Sequence, residues 1–364
     1  MARYPLRQLS FVQDDAGYRR FPASQSGTRP SWRHRGRRWI QRHQALCDQL
    51  WFCSMCVLWY MSSAMTNNLG KQVMMAWRHP VTLTFVQFGF VALFCQIVAA
   101  TTGAFGRLQP LNVSRFVTVV PLSIFQVTGH IFSSVAISRI PVSLVHTVKA
   151  LSPLFTVLIY RIVLKRAVSH RVALSLIPLT CGVVLVTMTP HVQFNAIGLT
   201  CALASTIVFV LQNIRSRHHP DPAGTDAVHA ALSMLFWAST FAFVLMFPLW
   251  LYYDRVAVAD LWRARRASSS GAPPPRAAPG MGIPMLLVLN GASHFAQNVL
   301  AFYLLGLTSP VTYSIASLVK RIFVISAAML YFGDRVNAVQ GAGIVLTFGG
   351  LWLYQSAKGQ KGSH

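Results

Sequence analysis

Two adjacent cations, Lys320 and Arg321, lie inside Ser309–Phe332 (SPVTYSIASLVKRIFVISAAMLYF), a stretch otherwise uncharged and flanked by apolar runs. A third, Lys149, interrupts Val142–Tyr160 (VSLVHTVKALSPLFTVLIY) in the same way. Neither stretch holds an Asp or Glu to neutralise them. On insertion scales each such charge costs about 2.5–3.5 kcal/mol at a bilayer centre. The cost is explained if the side chains face a water-filled cavity and meet an anion there, which is the chemistry of a membrane protein that handles a negatively charged solute.

The rest of the chain must supply the elements that place those cations. Over its 364 residues 54% are hydrophobic and 11% charged, against about 25% charged in ordinary soluble domains. Spanning helices need about 20 mostly apolar residues, and ten candidates are present: 46–65, 81–100, 116–137, 142–161, 172–189, 194–213, 228–252, 284–307, 310–332 and 338–354. The expected fold is an all-α membrane protein with ten transmembrane helices. A basic tail, expected to be disordered, covers residues 1–45, the helical membrane domain 46–354 (with a flexible Ser/Gly/Pro-rich loop at 254–282), and a short tail 355–364.

The net charge of +24 is unevenly placed. Arg3, Arg7, Arg19, Arg20, Arg29, Arg33, Arg35, Arg37, Arg38 and Arg42 all precede residue 45, and the chain contains no Glu. Such a block could suit nucleic acid. Basic flanks also mark the cytoplasmic side of a membrane protein, so the bilayer is the expected partner, nucleic acid is not, and both termini are expected in the cytosol. The Arg- and Ser-rich start also fits an organellar transit peptide, against which Asp14-Asp15 argues. The Cys53-x-x-Cys56 pair lies in an apolar helix with no second pair, and reads as small hydrophobes rather than a metal or redox site. No metal or other cofactor is expected.

The chain also repeats itself. Pro141-Val142-Ser143 opens one cation-bearing helix and Pro310-Val311-Thr312 another. A charged loop follows each (Lys165-Arg166 and Asp334-Arg335), and then a span with glycine. The units start helices four and nine, an odd offset, so the repeats at about 46–189 and 194–354 should face opposite ways across the bilayer. Inverted repeats are a transporter arrangement, with the solute site near the midplane at their interface.

VSLVHTVKALSPLF and SPVTYSIASLVKRIFVI are similar to signatures of the triose-phosphate translocator family, within the drug/metabolite transporter superfamily. WYMSSAMTNNLGKQVM (Trp59–Met74) and TGHIFSSVAIS (Thr128–Ser138) resemble its first and third helices, and the wording around HFAQNVLAF is most like the fungal endomembrane branch. The resemblance implies five plus five helices and exchange of inorganic phosphate against a phosphorylated small molecule in an endoplasmic reticulum or Golgi membrane; the alternative is a plastid or other organellar inner membrane. It implies phosphate binding by Lys149, Lys320 and Arg321 with help from His130 and Ser133, and it matches His146 to a family histidine. Convergent cations suit a divalent phosphate, and the planar arginine fork can hold two oxygens at once. Where plastid members carry an Arg and a Tyr that read the carbon part of the substrate, this chain has Gln212 and Gln297. Phosphoenolpyruvate and triose phosphate are the three-carbon candidates, sugar phosphates another class, and a nucleotide sugar the rival cargo within the superfamily.

His130 and His146 could equally be hydrogen-bonded core residues, Ser133 a packing residue, and Gln212, Gln297 and Asn298 interhelical glue. Tyr313 and Tyr303 are candidate cavity residues. Pro153 should bend its helix one turn beyond Lys149. Gly341, Gly343, Gly349 and Gly350 should serve close packing, a homodimer contact being their other use. An enzyme would need clustered acids, a metal set or a nucleophile with its base. The scarcity of carboxylates speaks against it.

Overall fold

The computed structural model describes residues 32–102, 113–163, 165, 169–187, 195–216, 225–260, 263, 282–308, 310–333 and 337–359. The N-terminal part of the basic tail, Arg166, the Ser/Gly/Pro-rich tract and Asp334-Arg335 lie outside them. The main helices are α1 (Trp32–Ala76), α2 (Pro80–Thr102), α3 (Val113–Arg139), α4 (Val142–Lys149), α5 (Ser152–Ile162), α6 (His170–Thr187), α7 (Ala196–Ser216), α8 (Thr225–Tyr253), α9 (Ile283–Leu307), α10 (Pro310–Phe332) and α11 (Ala338–Gly359). No strand occurs among the described residues.

Among the described residues eight stretches are long and apolar enough to cross a bilayer: α2, α3, α4 with α5, α6, α7, α8, α9 and α10. The expected count of ten is therefore met by composition in eight. α1 and α11 pack lengthwise against the others, α1 along α9 and α11 along α6. α1 starts at Trp32, well before the apolar run that opens near Leu46. The region expected to cross as one helix at 142–161 is two, α4 and α5. Large apolar side chains such as Leu330, Val345, Leu174 and Ile162 stand exposed on the outside, as a lipid-solvated surface requires.

Helix pairing follows a pattern. Counting α4 and α5 as one segment, the strongest neighbours are α6–α11, α3–α7, α1–α9 and α2–α8. Exchanging each of the first five segments with the one five further on turns α3–α7 into α9–α1, α2–α3 into α8–α9, and α1–α10 into α7–α4. The same exchange leaves α2–α8, α4–α10 and α6–α11 as they were. Glycines set the closest of these crossings. A Cβ on Gly182 would lie 2.5 Å from the Thr347 amide nitrogen and 2.6 Å from Gly343 O. Gly350 abuts the Leu179 backbone, so Gly343 and Gly350 are spent inside the molecule, whereas Gly349 faces open space.

Buried polar groups pair between helices. Asn290 Nδ2 donates to Thr66 O (2.7 Å), Gln87 Nε2 to Asn290 Oδ1 (2.8 Å) and Thr66 Oγ1 to Ser293 Oγ (3.0 Å), tying α1, α2 and α9. At one end, Asp254 accepts from the Thr82 N–H (2.8 Å) and Thr82 Oγ1 (3.0 Å), joining α8 to the first turn of α2. A carboxylate there satisfies a helix N-terminus that would otherwise have open donors. Lys71 donates to Ile137 O (2.8 Å) and Ile140 O (3.0 Å), closing the carbonyl end of α3.

Candidate anion-binding site

The site grows from the break between α4 and α5. In an unbroken helix the Lys149 carbonyl would accept the amide of residue 153, but Pro153 has no N–H to give. α4 therefore ends at Lys149, where Ala150 N–H bonds back to His146 O (3.1 Å) and Thr147 O (3.0 Å) and Leu151 N–H to Val148 O (3.0 Å). α5 restarts at Ser152 with Pro153 in its first turn. Arg321 on α10 takes the freed carbonyl: its Nη1 donates to Lys149 O at 2.8 Å. Ser152 Oγ donates to the same carbonyl, and its oxygen lies 3.4 Å from both Nη1 and Nη2. A cation at a helix C-terminus is also favoured by the helix dipole.

The two lysines rest on aromatic rings. Lys149 Nζ donates to Ser133 Oγ on α3 at 2.6 Å and sits 5.5 Å from the centre of the Phe209 ring on α7. Gly129 makes room for that ring: a Cβ there would come within 2.9 Å of its atoms. Lys320 Nζ lies 4.4 Å from the Trp59 ring of α1, and Trp59 stacks on Tyr313 with centroids 5.3 Å apart. Such cation–π contacts are worth about 0.5–2 kcal/mol. They hold an ammonium without consuming its N–H donors, and no acceptor among the described residues takes those of Lys320. Under the segment exchange α1 maps to α7 and α10 to α4, so the Trp59–Lys320 and Phe209–Lys149 contacts are counterparts.

The cations converge. Arg321 acts electrostatically on Lys149, Arg321 and Lys149 act on Lys320, and all three act on His146. Among the described residues none of them meets a carboxylate; the ion pairs there join His79, Asp254, Asp260 and Arg263.

The other expected site residues divide. His146 Nε2 lies 3.0 Å from Asn67 Oδ1 of α1, beside the triad. The His130 ring stands edge-to-face against Phe209 (5.4 Å), Phe88 (5.2 Å) and His294 (5.4 Å), and Lys149 acts on it electrostatically. Gln212 is half-buried, one turn beyond Phe209 on the same face of α7. Gln297 Oε1 is buried without a hydrogen-bond partner. Asn298 donates its amide to His294 O at 2.8 Å, within α9 itself, and so neither bridges two helices nor offers that donor to a cargo. Sequence reading missed Trp59, Phe209, Ser152, Asn67 and His294. Ser152, next to Pro153 and one turn from Lys149, was visible as a group able to take up a freed carbonyl, and His294, three residues before Gln297, as its face-mate. Nothing local marks Trp59 or Phe209 among the many aromatics.

An all-helical, multi-pass bundle whose unpaired cations meet between helices from both halves of the chain is the build of a membrane transporter. The chain matches the Triose-phosphate Transporter family over residues 50–355 and belongs to it. It is 43% identical over 326 residues to a Schizosaccharomyces pombe protein named as a transporter, C83.11, covering 87% of this chain and 68% of that one. It is 29% identical over 375 residues to the uncharacterized transporter SLY41 of Saccharomyces cerevisiae (82% and 78% covered). It is 28% identical over 323 residues to the chloroplastic phosphoenolpyruvate/phosphate translocator 3 of Oryza sativa subsp. japonica (87% and 77% covered). These relatives are transporters, not enzymes.

Proposed function

We propose that this transporter exchanges inorganic phosphate for a small phosphorylated metabolite, a three-carbon phosphate such as phosphoenolpyruvate or triose phosphate, by alternating access. One observation carries the reading: Lys149, Lys320 and Arg321 share one locus with no carboxylate among the described residues, and the Lys320 ammonium keeps its donors unspent. A divalent phosphate supplies acceptors for both ammonium groups and for the guanidinium N–H groups that the Lys149 carbonyl does not take. His130 and Ser133 complete the phosphate site beside Lys149 in this reading, and His146, Gln212, Gln297 and Tyr313 line it. The rice relative's name, a phosphoenolpyruvate/phosphate translocator, supports the cargo class; the membrane in this reading is that of the endoplasmic reticulum or Golgi, on the resemblance around HFAQNVLAF, with a plastid or other organellar inner membrane as the alternative.

The exchange pattern of helix contacts supports two inverted repeats, 46–189 and 194–354, that rock about a site shared by α4 and α10. An empty carrier would have to enclose three like charges at low dielectric, where repulsion is strong. A bound phosphate neutralises them and permits closure, which makes transport an obligatory exchange. The test is counterflow in liposomes. Uptake should need internal phosphate or a phosphorylated counter-substrate, and full-rate uptake into vesicles lacking both would refute the reading. Inhibition by inorganic phosphate but not by a nucleoside monophosphate separates it from a nucleotide-sugar carrier.

A further inference from the structure

His294 is 2% exposed, yet neither of its ring nitrogens has a hydrogen-bond partner among the described residues. A buried polar atom left unpaired is destabilising, and His294 carries two. Gln297, one turn further on the same face of α9, leaves its buried Oε1 unpaired as well. Three orphaned polar atoms thus share one helix face. That face adjoins the phosphate site: His294 stacks edge-to-face on His130 at 5.4 Å, and His130 and Lys149 pack against the same Phe209 ring. The remaining ring neighbour of His294 is the apolar Phe88.

We propose that His294 and Gln297 read the carbon end of the cargo, and that they select a hydroxyl-bearing skeleton over an enol ester such as phosphoenolpyruvate. This rests on the phosphate reading above and names the cargo within it. The chemistry of the orphans decides. Buried and with no carboxylate beside it, the imidazole is a neutral ring with one N–H donor and one bare acceptor nitrogen. Gln297 Oε1 adds a second acceptor. A ligand that satisfies this face must donate as well as accept. Phosphate oxygens and ionised carboxylates only accept, so phosphoenolpyruvate leaves both acceptors bare. A hydroxyl does both. A site built to hydrogen-bond a hydroxyl discriminates strongly against an analogue lacking it, because its own buried groups are then left unpaired.

The experiment measures inhibition of phosphate self-exchange in proteoliposomes by dihydroxyacetone phosphate and by phosphoenolpyruvate. The native carrier should be inhibited at least tenfold more strongly by dihydroxyacetone phosphate. His294→Phe should bring the ratio of the two toward one, and His294→Gln, which keeps a donor and an acceptor, should retain most of it. Equal inhibition of the native carrier, or an unchanged ratio in His294→Phe, overturns the inference while leaving phosphate exchange standing. A native carrier with no phosphate self-exchange overturns the function reading and this one with it. Should His294→Phe not fold, Gln297→Met decides: a ratio near one supports the inference and an unchanged ratio overturns it.

Discussion

A lysine held in a bilayer without an acid needs another restraint, and the two lysines here use aromatic faces. Lys320 lies over Trp59 and Lys149 over Phe209. Both contacts leave ammonium donors available to a cargo, which a carboxylate would not. Lys320→Ala should therefore abolish exchange while the protein still folds, since no partner is orphaned; size-exclusion of the purified variant together with the liposome assay checks both halves. Ser133→Ala removes the 2.6 Å bond that aims Lys149. Hydrogen bonds to charged groups are worth about 1.5–3 kcal/mol, so the apparent affinity for phosphate should fall tenfold or more, read as KM in phosphate self-exchange. At this scale the sequence was most legible for charge. Unpaired cations in apolar runs stand out without any knowledge of contacts, whereas Trp59 and His294 are ordinary residues until a neighbour is known.

At the scale of elements, the α4–α5 break is the part of the site most clearly written in the chain. Pro153 lies four residues after Lys149, and a proline acts on the carbonyl four back. The bend was expected beyond Lys149; it falls at Ala150–Leu151, immediately after the residue whose carbonyl lost its donor. Pro153→Ala restores that donor in competition with Arg321. The variant should melt at the same temperature or higher yet exchange phosphate more slowly, with Arg321 less firmly anchored; a thermal melt in detergent beside a transport assay tests the split. The crossing of α6 and α11 carries a different prediction. Gly182→Leu would drive a side chain into Thr347 and Gly343, and overpacking of this kind costs about 1–3 kcal/mol. The apparent Tm in detergent should drop. An unchanged Tm would mean that the crossing is looser than the glycine contacts require.

Over the whole molecule, paired contacts exchange between the first and second halves of the chain. The two lysine–aromatic contacts exchange in the same way, although tryptophan stands on one side and phenylalanine on the other. The weak internal repeat in the sequence, two Pro-Val-Ser/Thr openings ahead of cation-bearing helices, pointed to this relation through the odd offset between helices four and nine. The count of spans was less legible. α1 mixes its apolar run with Asn67, Lys71 and Gln72, which turn inward to His146, α3 and α10, so hydropathy alone undervalues it.

The sequence by itself determined the solvent, the helical class, the three unpaired cations and the place where a helix must break. Each follows from local properties, namely hydropathy summed over a window, charge type and the missing proline N–H. The tertiary structure alone decided that Arg321 crosses to the broken helix end, which rings carry the lysines, and that His294, beside His130, and Gln297 bury polar atoms with no partner among the described residues. Those outcomes depend on how each helix is rotated and how closely it crosses its neighbours. Both are set by glycines such as Gly129 and Gly182 acting across helices remote in the chain, and no local window records them.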